Sequence, residues 1–502
     1  MKTTGSVEIT SQEGNIYGNN GNLTNITASR ATLSAVNGNI YSSLETAVNH
    51  LEAVAYGLID ISNTGDLIIG GIGALEGIQS TNSRVSVRSY GGIEVQENVN
   101  ASDYVLLVTE DSDVASPNEN ILVRSGVTLQ SENSYIAVYS DDDLTVEEQA
   151  TLQTFASDIA LRVNYNSIDG VGGALDLAGN LITQGPSYRT YLYGSPQSDS
   201  FRVVPSLESR IYVDANQPVM PAAPGDELVY YIPQGETALV NETQPGVGTI
   251  SFSGSYDDIS YNSIETKILA GSLLLEGTAG DDVLTVNATD ANSGTFQLND
   301  GPTVTFMDLS DLSFHGLAGD DRLVINHPVA GLFAPVNGIV FDGGDQTSAD
   351  KLEILGGSAT SVKHRFVNEN DGSVYYNGLS IAAITYTGLE PVLDTIAATD
   401  RSFTFTGGAE SITLSDDGEV ANDQTMIDSD LFGEVVTFLN PSGNMMIITT
   451  DGYGADNLNI EGVDANFSAN LTIQADTDAT VHFQGNSTNT GTGNVDISAG
   501  SI

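Results

Sequence analysis

The sequence contains no cysteine and no tryptophan, few basic side chains and no long apolar run. Each absence removes a class of function. Without cysteine there are no disulfides, no thiolate metal sites and no thiol nucleophile. No stretch of about 18 apolar residues occurs, so no membrane-spanning helix is expected. Fifteen Lys and Arg against 66 Asp and Glu leave a net charge of −51 over 502 residues. Such a field repels nucleic acid and anionic membrane surfaces, and it also opposes the protein's own compact state. Nucleic acid is therefore not expected as a partner, and dissolved cations are expected to help folding. The opening "MKTTGSVEIT" runs on into polar residues, unlike a secretion signal. Export would then use a signal outside this chain or another route.

What is present is glycine, 53 residues of it, with 40% apolar residues and many Asn, Ser, Thr and Asp. Segments such as "GSVEIT" at Gly5, "GNIYG" at Gly14, "GNIYSS" at Gly38, "GLIDIS" at Gly57, "GDLIIGG" at Gly65 and "GGIEVQ" at Gly91 share one design. A glycine and a polar residue are followed by apolar residues at alternate positions, the mark of a turn leading into a half-buried strand. The two "GNIY" segments are 24 residues apart (38 − 14), and Gly65 and Gly91 are 26 apart. That spacing is about one turn of a solenoid whose strands stack on the preceding coil. The stretch "SSLETAVNHLEAVAYG" carries two patterns: Leu44, Ala47, Val48, Leu51 and Ala55 at helical spacing behind Ser43, and alternation at Leu51, Ala53 and Ala55. A strand is favoured over a capping helix.

The second half repeats on a longer scale. "GSPQSDSFRVV" at Gly194 matches "GLAGDDRLVIN" at Gly316, which places Asp199 under Asp321 at an offset of 122. "GDELVYY" with Asp226 matches "ADKLEIL" with Asp350 at 124, and Gly248–Glu265 matches Gly372–Glu390, beginning at the same offset. Ordered matches at a nearly constant offset indicate a duplicated unit. At the far end, Thr492–Ile502 resembles Thr4–Ile16, which suggests stacking on a second copy or on neighbouring repeats of a longer chain.

The first third, with its "GNI", "GLIDIS" and "GDLIIGG" runs, resembles the right-handed parallel β-helices of filamentous-haemagglutinin-type adhesins and autotransporter passengers. The turns "GTAGDDVLT" at Gly277, "GLAGDDRLV" at Gly316 and "DGYGADNLN" around Gly452 and Gly454 resemble the nonapeptide of RTX, haemolysin-type calcium-binding β-rolls. That resemblance implies Ca²⁺ at Asp282, Asp321 and Asp456, with Asp281 and Asp320 beside them, since Ca²⁺ takes hard oxygen ligands. It departs from the roll because the copies lie tens of residues apart, whereas Ca²⁺ wants six to eight oxygens.

The expected fold is all-β: a right-handed parallel β-helix followed by tandem β modules, solenoid or sandwich-like, in an elongated molecule. Four regions are expected: 1–185 β-helix, 186–275 a module with a degenerate GDD turn, 276–395 modules with GDD turns, and 396–502 a module returning to β-helix. The expected function is a structural or adhesive segment of a large extracellular or cell-surface repeat protein, cation-stabilised, self-associating or touching cell-surface glycans. The alternative is a polysaccharide-binding protein or a polysaccharide-degrading β-helix enzyme. No catalytic residue is singled out. "VKHRF", with Lys363, His364 and Arg365, is the only basic cluster and is expected to be an exposed strand. "GGIGALEG" at Gly70 mimics a phosphate-binding loop but lacks the helix such a loop needs, so a solenoid corner is expected there.

Overall fold

Every coil of the first region is built from the alternation read above. In the computed structural model, residues 1–502 are described apart from 20, 22, 42, 43, 74, 111–118, 167–169, 217–224, 347, 420, 432, 433, 450–453 and 485–487. Ser43 and Gly452 thus lie outside the described residues. Among the described residues there is no helix, and so none that is long and apolar enough to cross a membrane.

The chain forms two compact units, Met1–Ile268 and Leu269–Ile502. In the first, three parallel rows of strands recur. Val85–Tyr90, Val105–Thr109, Ile136–Tyr139, Ile159–Arg162, Arg189–Tyr193 and Arg210–Asp214 stack in one row. A second row runs through Ile93–Val95, Ile121–Val123, Leu144–Val146 and Ala174–Leu177, and a third through Val99–Ala101, Thr128–Ser131, Thr151–Thr154 and Asn180–Thr183. Register keeps like on like. Val85, Val105, Ile136 and Ile159 align and are fully buried, each contributing roughly 1.5–3 kcal/mol by leaving water. The paired rows measure out the sequence spacings: Leu67 sits on Ile93, 26 residues on, and Ile16 on Ile40, 24 on.

The ambiguous segment is a strand, Glu45–Ala55, paired with Ile26–Ala35. Its inward side chains include Val48, Leu51, Ala53 and Ala55, so a neighbouring coil, which a solenoid supplies and a lone helix does not, decides between the two patterns.

The second unit continues parallel stacking through Val283–Ala288, Arg322–Asn326, Lys351–Leu355, Val392–Asp394 and Val436–Leu439. Antiparallel hairpins interrupt it, as in Val283–Ala288 with Gly294–Leu298 and Ser358–Phe366 with Gly372–Tyr376. The first unit carries the counterpart hairpin, Ala238–Gln244 with Val247–Phe252. The modules past residue 190 therefore keep the solenoid's parallel pairing in both units and do not become separate sandwiches.

Candidate functional site

The recurrent acidic turns carry the resemblance to a metal-binding motif, and the strand that follows each one fixes where its carboxylates go. Leu284 and Leu323 are buried partners in adjacent coils. Alternation therefore turns the preceding residue but one, Asp282 or Asp321, inward as well. Both are about 1% exposed, Asp456 is 3%, and Asp199, Asp226 and Asp350 are buried alike.

Inside, these carboxylates bind backbone. The amide of Asp282 donates to Oδ1 of Asp321 at 2.8 Å, and the amide of Asp321 donates to Oδ1 of Asp350 at 2.6 Å. In the first unit the amide of Gly173 donates to Asp199 at 2.7 Å, that of Asp199 to Asp226 at 2.7 Å, and that of Asp226 to Glu265 at 2.8 Å. The amide of Glu410 donates to Asp456 at 3.3 Å. Each carboxylate thus caps the amide at the matching position of the coil before it, where no strand partner is available. The outer pair reverses the direction, its carboxylates capping amides of the coil after: Asp320's amide donates to Asp281 at 2.9 Å, and Ser348 and Ala349 donate to Asp320 at 2.6 and 3.2 Å.

The glycine that opens each turn has a specific task. A Cβ on Gly277 would lie 2.7 Å from Oδ2 of Asp282, one on Gly194 2.5 Å from Oδ2 of Asp199, and one on Gly316 would collide with Oδ2 of Asp321. The carboxylate folds back onto the glycine five residues earlier. At Gly319, φ is +134° and an added Cβ would strike the backbone of Gly280 in the adjacent coil.

The electrostatics follow from the number of donors each carboxylate receives. Burial would raise Asp282, but the Thr278 amide at 2.5 Å, the Thr278 hydroxyl at 3.0 Å and the Asn299 amide group at 2.6 Å hold it below its ordinary value. Asp321 has fewer donors, and its Oδ2 has no hydrogen-bond partner. Burial, reinforced by Asp350, Asp282 and Asp281, pushes it up to about 6. Asp226, with Oδ2 also unpartnered, is pushed up to about 8 by burial and by Asp199 and Glu265.

A Ca²⁺ cage needs several outward, converging oxygens. Asp282, Asp321 and Asp456 instead point inward at amides, and Asp281 and Asp320 also accept backbone donors. Among the described residues, no group of three or more His, Asp or Glu side chains is arranged to hold a metal. As placed, these carboxylates are engaged by amide donors.

Two further clusters close on themselves. In the glycine-rich corner, Glu52 Oε1 accepts the amides of Ile72 and Gly73 at 2.8 and 2.7 Å, and its Oε2 that of Leu75 at 2.6 Å. Glu97 accepts Gly71 and Gly77 at 3.0 and 2.7 Å. The amides that could cradle a phosphate are filled by the chain's own carboxylates, as a solenoid corner requires.

In "VKHRF", alternation exposes Lys363 and turns His364 inward to full burial. His364 Nε2 lies 2.9 Å from Asp394 Oδ2. Arg401 bonds both oxygens of Asp394 and the carbonyls of Ile396 and Leu439. Burial alone would raise Asp394, but Arg401 and His364 hold it well below the usual carboxylate range, while burial lowers His364. These three residues look like catalytic types, yet all are sealed from solvent. Sequence reasoning missed the triad because Asp394 and Arg401 carry no motif; strand alternation through Val362, His364 and Phe366 was the available signal for the buried histidine.

No family model, no curated protein and no solved structure matches the chain.

Proposed function

We propose that the chain is a structural segment of a large extracellular or cell-surface repeat protein, a stalk, adhesin shaft or matrix filament whose work is coil-on-coil stacking. The observation that carries this reading is the use made of the motif carboxylates: Asp199, Asp226, Asp321 and Asp350 are spent on binding adjacent coils together. A row of amide side chains adds to it. Asn444 donates to Asp400 at 2.7 Å, Asn470 to Asn444 at 3.1 Å, and the Asn494 amide to Asn470 at 3.0 Å. The resemblance to filamentous-haemagglutinin-type β-helices supports the same reading. The partner it implies is a further coil, from a second copy or from neighbouring repeats. Cations act by screening the charge of −51.

Single-molecule pulling tests it, with the chain placed between two marker domains of known unfolding force. A scaffold releases its coils in steps at forces comparable to the markers. Featureless extension at low force would overturn the reading.

A further inference from the structure

One face of the first unit gathers tyrosines from successive coils. It is the row of strands from Val85–Tyr90 to Arg210–Asp214 described above. Its outward positions align in columns. Leu106, Ala137 and Ala160 form the middle column, in register. On one side stand Tyr104 and Tyr135, rings stacked at 4.9 Å and 5°. On the other stands Tyr139, packed against Tyr165 at 5.0 Å. Ala137 points outward, yet it is only 1% exposed, whereas Tyr135 remains 38% exposed. A shallow trough thus has tyrosine walls and a floor of Leu106, Ala137 and Ala160. Two coils on, the floor itself becomes aromatic, as Ala160 gives way in register to Tyr191 and Tyr212, whose rings meet edge to face at 5.9 Å. From the coil of Tyr104 to that of Tyr212 is four steps, about 19 Å at the usual strand spacing.

We propose that this tyrosine trough binds an uncharged polysaccharide chain lying along the stack. A pyranose ring has an apolar C–H face and a rim of hydroxyls, which matches tyrosine rings bordered by charged and polar groups. The charges of the face select a neutral ligand. Arg88 pairs with Glu110, Arg84 with Asp60 at 3.9 Å and Arg210 with Asp257 at 3.6 Å. The guanidinium groups of Arg84 and Arg162 lie over Tyr104 and Tyr165 at 5.7 and 5.6 Å. Arg162 and Arg189 lie on the same row with no ion pair among the described residues, but Asp103, Asp158 and Asp214 stand beside its tyrosines. Positive charge therefore does not outweigh negative charge there to hold an anionic polymer against a molecule of −51, and the same charge opposes a second copy docking face to face. Hydroxyl groups, by contrast, can bond to the paired arginines and carboxylates without separating charge. The length suits an oligosaccharide stretch, not a single sugar. This inference goes beyond the scaffold reading and does not rest on it.

The test is native affinity electrophoresis of the whole chain through gels containing soluble glucan, mannan, xylan or galactan, with alginate and polygalacturonate as anionic comparisons. Retardation is expected in at least one uncharged gel, equally at low and high salt. Y135A combined with Y191A should weaken it at least about tenfold, which is the loss of roughly 1.4 kcal/mol, with the melting transition retained. Y135F should bind as the parent does. Retardation by none of the uncharged polymers, retardation only by the anionic ones, or full retention in the Y135A/Y191A variant would overturn the proposal. So would sedimentation showing a dimer that the same variant dissociates.

Discussion

The amide of Asp321 donates to the carboxylate of Asp350, 29 residues later, and the amide of Asp199 makes the same bond to Asp226, 27 residues later. The duplicated unit has thus kept a hydrogen bond as well as a sequence pattern. An unpaired buried amide costs about 1–3 kcal/mol. D321A should therefore lower the melting transition of the second unit by a comparable amount, because it strands the amide of Asp282, while D321N, which keeps the acceptor, should be nearly neutral. Calorimetry of both variants checks this; equal losses would show that charge, and not capping, matters at this position.

The glycine at the start of the turn should be equally sensitive. G316A places a methyl group against Oδ2 of Asp321, and overpacking of this kind costs roughly 1–3 kcal/mol. Combining G316A with D321A should cost less than the sum of the two, because the collision disappears with the carboxylate. A double-mutant cycle measures the coupling.

Stability should fall as pH rises. Asp321 and Asp226 have folded values near 6 and 8 against 3.8 for an ordinary aspartate. Between those values the folded state holds protons that the unfolded chain has released, so their contribution is present at low pH and lost as pH climbs through 6 and then 8. Asp394 works the other way. Held below its ordinary value by Arg401, it contributes above pH 3.8 and loses that contribution on acidification. Melting temperatures across the range should peak in mild acid, and D226N should flatten the alkaline limb of the first unit. A stability that rises from pH 6 to pH 8 would contradict this.

The sealed ion pair offers a sharper contrast. R401M leaves Asp394 charged and buried with only His364 and the Ile396 amide as partners, and breaking such a pair typically costs about 3–5 kcal/mol. R401M combined with D394L removes both charges and should recover most of that loss. Chemical denaturation followed by tyrosine fluorescence separates the two cases.

Cations should stabilise without selectivity. If the acidic turns hold no resident ion, Ca²⁺ and Mg²⁺ at equal concentration should raise the melting temperature alike, and monovalent salt at matched ionic strength should approach them. A rise specific to Ca²⁺ and abolished by D282N would restore a calcium site.

The spacings of 24 and 26 residues, and the 39 residues from Gly277 to Gly316, are the coil lengths of the solenoid, legible because a coil's glycine and its alternating apolar residues must recur where the next coil stacks. The pairing of Asp199 with Asp321 and of Asp226 with Asp350 across the duplication was legible for the same reason. The direction of those carboxylates was less so. A G-x-x-x-x-D turn reads as a ligand motif because glycine and aspartate also build calcium loops. Only the alternation running on from Asp282 to Leu284 shows that both face inward. The tyrosine trough was hidden further still, since Tyr104, Tyr135, Tyr139 and Tyr191 come from three coils and meet only through register.

The carboxylate ladder also has a direction. In each inner rung the donor amide belongs to the earlier coil and the acceptor side chain to the later one, as Asp282 waits for Asp321 and Asp321 for Asp350, whereas the outer rungs from Asp320 to Asp281 and from Ser348 to Asp320 run the opposite way. A chain emerging from its amino end therefore leaves each finished coil with one uncapped amide until the next coil is made. Each coil's inner turn is thus completed by its successor and its outer turn by its predecessor.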